Sequence, residues 1–79
     1  MEDRVVIDPG IQHGKPVIRG TRVPVARILA ELAGGTSFDD VQRDYGVTLE
    51  DIHASLAYAR ELVEQDEFHP LPGGLNRGV

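Results

Sequence analysis

The sequence predicts a mainly α fold with a small β part: short N-terminal β-strands, a three-helix core with helix-turn-helix geometry, and a flexible C-terminal tail. Three observations lead there. Brief β-branched runs broken by Gly and Pro fill residues 4–23, apolar residues recur at helical spacing over 24–65, and periodicity stops at Asp66. The chain divides accordingly into one domain, residues 1–65, made of a β region (4–23) and a three-helix core (24–65), followed by a tail at 66–79.

The β region opens with "RVVI", which reads as a strand, and "DPG" and "HGKP" punctuate the chain after it. "VIR" and "TRV" are further extended pieces separated by Gly20, each too short to stand alone. Strand pairs of this length are marginal in water and their open edges accept other strands, so a homodimer paired through the N-terminal strands is expected.

Pro24 has its φ pre-set for a first helical turn and lacks only an amide that such a turn leaves unpaired, so the first helix is expected to begin there. Val25, Ile28, Leu29 and Leu32 form its core stripe, Arg27 and Glu31 face away, and Gly34-Gly35 supplies a left-handed stop. Ser37 with Asp40 resembles a capping box with aspartate in place of glutamate, a cap worth ~1 kcal/mol. Phe38, Val41 and Tyr45 make the inward face of that second helix. Gly46 ends it, and Thr48 with Asp51 repeats the capping pattern for a third helix reaching about Gln65. Leu49, Ile52, Leu56, Ala59 and Val63 are its expected stripe. "LPGGLNRGV" has neither periodicity nor apolar density, hence the flexible tail.

Composition narrows the function. A domain of 79 residues buries only about 60% of its unfolded surface. Without cysteine it has no disulfide to compensate, so association is the expected source of stability. The lack of cysteine fits a reducing compartment, and no apolar run approaches the ~20 residues that span a bilayer; the expected location is the cytoplasm. Residues 1–36 carry five cations and four acids, residues 37–79 three cations and nine acids, and the net charge is −5. Such a chain does not bind phosphate polymers indiscriminately, and any contact with DNA must use a local cationic surface.

"SFDDVQRDYGVTLEDIHASL" is the sharpest local signal, a short helix, a glycine turn and a second helix, which is the layout of a helix-turn-helix. An ordinary αα corner has the same layout. The third helix would offer a groove Leu49, Glu50, His53, Ala54 and Ala57, with Asp51 nearby, and no Arg, Lys, Asn or Gln to read bases. If the chain binds DNA, the contacts must therefore come from Lys15, Arg19 and Arg22 of "HGKPVIRGTRVPV" and from Arg27 just beyond it. In the other reading of that stretch, Gly14, Pro16, Gly20 and Pro24 merely route the chain and the cations pair with Asp8 or Glu31. A Walker loop is excluded, since "GIQHGKP" has three residues between its glycines and Pro16 where a hydroxyl belongs.

His13, His53 and His69 lack metal spacing and no nucleophile elbow occurs, so no catalytic residue, metal or cofactor is expected. Tyr58, Leu62, Phe68, Leu71 and Leu75 would give a protein partner apolar anchors, and Arg77 a charged one.

The run "HGKPVIRGTRVPVARILAELAGGTSFDDVQRDYGVTLEDIHASLAYARELV" resembles the small bacterial family called domain of unknown function 433, members of which act as antitoxins of the Vap type. The likeness covers about residues 4–65, and "GKPVIRGTRVPV" and "VTLEDIHASLAYA" carry it. It implies a homeodomain-like helical trio behind N-terminal strands, a toxin partner with a PIN-like nuclease fold, and repression of the pair's own promoter. Lys15, Arg19, Thr21 and Arg22 occupy the positions of the family motif. Many relatives have a proline and an extra residue after the tyrosine matching Tyr45; "DYGVT" is shorter, so the third helix is expected to leave at a different angle.

The resulting expectation is a non-enzymatic, dimeric antitoxin that neutralises a nuclease either through the acidic surface of the third helix or through the tail. The alternative is a stand-alone helix-turn-helix regulator without a toxin.

Overall fold

The computed structural model describes residues 4–65 and places three helices behind a short antiparallel ribbon. The expected flexible tail, residues 66–79, lies outside the described residues, and with it Phe68, His69, Leu71, Leu75 and Arg77.

Strand β1 is Val5–Val6 and β2 is Val17–Ile18, paired antiparallel with Val5 opposite Ile18 and Val6 opposite Val17. Arg19 N–H extends the ladder to Arg4 O at 2.7 Å. The other edge of β2 is also taken: Ile18 N–H donates to Val23 O and Val25 N–H to Pro16 O. "TRV" forms no strand where one was expected; the chain makes only a bridge of Pro24 to Val17, because Pro24 has no amide to continue a ladder.

Between the strands the chain makes a left-handed turn, with positive φ at Gln12 (50°), His13 (56°) and Gly14 (82°). The two non-glycine residues each carry a cost of about 1–2 kcal/mol. Bonds from Gly14 N–H to Ile11 O and from Lys15 N–H to Gln12 O hold the turn together.

Helix α1 is Val25–Ala33, one residue later than expected; Pro24 is its N-cap, with ψ 141° rather than a helical value. Its end is a Schellman closure: Thr36 N–H reaches Glu31 O, Gly35 N–H reaches Leu32 O, and Gly35 has φ +98°. Helix α2, Phe38–Tyr45, starts on Ser37, whose hydroxyl oxygen accepts Asp40 N–H at 3.0 Å. The carboxylate of Asp40 turns to Arg43 rather than completing a box. Gly46 closes α2 in the left-handed region. Helix α3, Leu49–Gln65, has the full reciprocal cap: Asp51 N–H donates to Thr48 Oγ1 at 3.0 Å, and Thr48 N–H to Asp51 Oδ2 at 2.9 Å.

The core joins Ile18, Val25, Ile28, Val41, Val47 and Ile52, with Val5, Val23, Leu29, Leu32, Tyr45 and Tyr58 packed around it. Two expected core faces differ. Phe38 lies at the rim, and the buried face of α3 is Asp51, Ile52, Ala54 and Ser55, not the row through Leu56 and Val63. Ser55 is admitted to the interior because its hydroxyl donates to Asp51 O, one turn back, and so buries no unmet polar group.

Candidate nucleic-acid and partner interface

The cationic loop is shaped by one turn. Thr21 N–H and its hydroxyl both donate to Ile18 O, Val23 N–H donates back to Thr21 Oγ1 at 2.9 Å, and Gly20 takes φ +81° as the third residue of a type II turn demands. Thr21 therefore builds the turn that holds Arg19 and Arg22 exposed on either side of the Gly20-Thr21 pair. Lys15 is exposed at the end of the left-handed turn. Asp8, the other proposed ion partner for these cations, has its carboxylate on Gly10 N–H at 2.9 Å.

Arg27 belongs to a separate cluster. Glu31 accepts hydrogen bonds from Tyr45 at 2.6 Å and Thr36 at 2.8 Å, linking α1 to α2 and to the loop between them. These two bonds, with the charge of Arg27, outweigh desolvation and hold the Glu31 carboxyl below its ordinary value; the same bond to Glu31 raises the Tyr45 phenol. Arg27, Ala30, Glu31, Gly34 and Thr36 line a hollow of about 530 Å³ beside it.

At the start of α3 the structure adds a residue that sequence reasoning missed. Arg4 donates through Nη1 to Asp51 Oδ1 at 3.1 Å, across 47 residues of chain. Asp51 is 8% exposed and holds Thr48 N–H with its other oxygen, so its charge is spent on the cap and on Arg4. Of the two acids that would repel a phosphate there, Glu50 is the exposed one. Arg4, Glu50, His53, Ala54 and Ala57 line a hollow of about 330 Å³ on this face. No spacing rule links Arg4 to Asp51; only the folded ribbon brings them together.

At about 100° per residue, α3 has three faces. Asp51, Ile52, Ser55 and Tyr58 face the core, and Leu62 continues that row one turn beyond it, 46% exposed. Tyr58, expected to anchor a partner, is half-buried against the core. A second face carries Glu50, Ala57, Glu61 and Glu64. The third carries Leu49, His53, Leu56, Arg60 and Val63, all exposed. Phe38 of α2 borders this third face, its ring edge-on to His53 with centroids 6.2 Å apart. Among the described residues no group of His, Asp and Glu is placed to hold a metal ion, and no helix is long and apolar enough to cross a membrane.

Over 52 residues, 66% of its length, the chain is 42% identical to a Mycobacterium tuberculosis protein named "Putative antitoxin VapB45", of which that stretch is 22%. Among solved structures it superposes on a DUF433 member from Anabaena variabilis with TM-score 0.73 and 32% identity, over 81% of this chain and 64% of that one. The crystal structure of Rv2018 from Mycobacterium tuberculosis matches with TM-score 0.61 and 42% identity, over 66% of this chain and 24% of that one. The chain thus spans less than two thirds of each relative's length. Residues 5–59 match the family described as "Protein of unknown function (DUF433)", and the chain belongs to that family.

Proposed function

We propose that this chain is the antitoxin of a type II toxin–antitoxin pair, a non-enzymatic protein of the cytoplasm that binds and neutralises a PIN-like ribonuclease toxin and represses the pair's promoter. The observation that carries this reading is the 42% identity to a protein named as an antitoxin. Its chemistry agrees: the α2–α3 surface is rich in exposed acids, which complements the cationic path along which a ribonuclease threads RNA. DNA binding is assigned to Lys15, Arg19, Thr21, Arg22 and Arg27, with Arg19 and Arg22 leading because the type II turn displays both. In the homodimer a second copy meets the outer edge of β1, since both edges of β2 are already bonded.

Co-expression with the product of the adjacent reading frame tests the toxin half: a stable complex is expected on purification, and its failure to form removes the toxin from the proposal. The stand-alone regulator is then favoured, on the observation that α2 and α3 meet across Gly46, Val47 and Thr48 alone, the connection a helix-turn-helix requires. DNA binding has its own test. Affinity for upstream DNA should fall with salt, and Arg19→Ala and Arg22→Ala should each lower the log–log slope by about 1. An unchanged slope removes these arginines from the interface.

A further inference from the structure

The third face of α3 lies outside the core. Leu49, Leu56 and Val63 stand seven residues apart and are 39%, 38% and 54% exposed, and Phe38, 39% exposed, lies beside them against His53. Apolar side chains scattered singly on a surface need no explanation, but three aligned on one helix face, with only His53 and Arg60 between them and Phe38 alongside, do. The same residues satisfy a helical period in the sequence, yet the core is built from the neighbouring row through Ser55.

Charge around the row selects what can cover it. Arg60 lies within the strip and pairs with Glu64 at 3.1 Å, and Arg43 pairs with Asp40. Arg4, beside Glu50 and His53, is matched by Asp51. With these three cations paired, Glu50 and Glu61 on the adjoining face of α3, and Asp39 and Asp44 on α2, are the exposed acids that remain, and the α2–α3 surface is acidic. A second copy of this chain would bring an identical acidic rim against the first, whereas a cationic rim would be attracted.

We propose, resting on the toxin-partner reading above, that the neutralised partner docks on the strip formed by Phe38, Leu49, Leu56 and Val63, and that its contacting face is an apolar ridge edged by lysine or arginine. The chemistry is that of a nucleic-acid-binding protein whose cationic substrate path is covered by α2 and α3. The apolar row supplies adhesion, the acidic rim supplies selection and rapid encounter, and RNA is excluded because an acidic helix occupies its place.

The test uses the full chain co-expressed with the adjacent-frame product, the wild type beside Leu56→Lys, Glu61→Lys and Leu71→Asp. Leu56 is partly exposed and lysine keeps helix propensity, so Leu56→Lys should fold, which its far-UV circular dichroism and melting temperature verify. Docking on the strip predicts at least about 30-fold weaker association for Leu56→Lys, a measurable loss for Glu61→Lys that vanishes at high salt, and none for Leu71→Asp. Retention of the product by Leu56→Lys at wild-type affinity overturns the docking site while the antitoxin reading stands. Loss with Leu71→Asp alone moves the contact to the C-terminal residues and also overturns it. If the wild-type chain retains no product, the toxin reading falls and this inference with it. A wild-type oligomer that Leu56→Lys dissociates gives the strip to a second copy and overturns it too.

Discussion

Replacing Asp51 by alanine should destabilise the domain far more than a surface acid in a first helical turn ordinarily would. The Asp51 carboxylate closes the cap by accepting Thr48 N–H and holds Arg4 with its second oxygen. Losing the cap bond costs about 1 kcal/mol. The ion pair adds ~0.2–1 kcal/mol, kept low because the Arg4 side chain is 48% exposed. The favourable charge at the helix N-terminus contributes a few tenths more. Together these give about 2 kcal/mol, which in a domain this small lowers the melting temperature by roughly 10 °C. Glu50→Ala is the internal control, the same charge one residue earlier but exposed, with an expected change of at most about 0.5 kcal/mol. Arg4→Ala should cost ~0.5–1 kcal/mol, and Arg4→Ala combined with Asp51→Ala less than the sum of the two single losses, because both remove the same pair. Chemical and thermal denaturation followed by circular dichroism measures all four. If Asp51→Ala matches Glu50→Ala, neither the cap at the start of α3 nor its tether to Arg4 stabilises the domain.

The Glu31–Tyr45 bond makes a pH-dependent contribution with two edges. Glu31 is lowered from 4.5 and Tyr45 raised from 10.0, so the stabilisation is complete between those values, fades in acid as pH falls through the lowered Glu31 value, and fades in alkali as pH rises through the raised Tyr45 value. Wild type and Tyr45→Phe should therefore differ in melting temperature at neutral pH and converge at both extremes; a gap that is constant with pH contradicts the bond. Ile52→Ala should cost about 3 kcal/mol and Leu56→Ala about 1, because only Ile52 is fully buried, and equal losses would show that the two side chains are equally buried. Gly46→Ala should cost ~1 kcal/mol, since φ is +66° and an added Cβ meets nothing within 4 Å; Gly46→Asn should recover part of it, and no loss on either change would contradict the left-handed closure of α2.

Elements whose cause is local could be read from the chain. Ser37, Thr48 with Asp51, and Gly46 act through bonds to residues at most four positions away, so the ends of α2 and the start of α3 follow from spacing alone. The expected stripe on α3 held at Ile52, which is fully buried, and failed at Leu49, Leu56 and Val63, which are exposed. Leu49, Leu56 and Val63 repeat at seven and Ile52 with Ser55 and Tyr58 at three, so two rows fit a helix and periodicity cannot say which one the other helices cover. Hydrophobicity favoured the row with leucines, while packing took the row with the small Ser55. The ties between distant segments, Arg4 to Asp51 and Tyr45 to Glu31, depend on how the ribbon and helices cross, and no local pattern encodes them. The motif "GKPVIRGTRVPV" pointed to cationic residues, and the structure gives Thr21 a turn-building part that the residue type alone did not reveal.

The antitoxin reading is tested most directly by titrating the purified chain into an RNA-cleavage assay of the adjacent-frame product. The account predicts that cleavage falls linearly and ends near equimolar chain, with Leu56→Lys requiring a large excess. Cleavage that continues undiminished at a several-fold excess of correctly folded wild-type chain would contradict it.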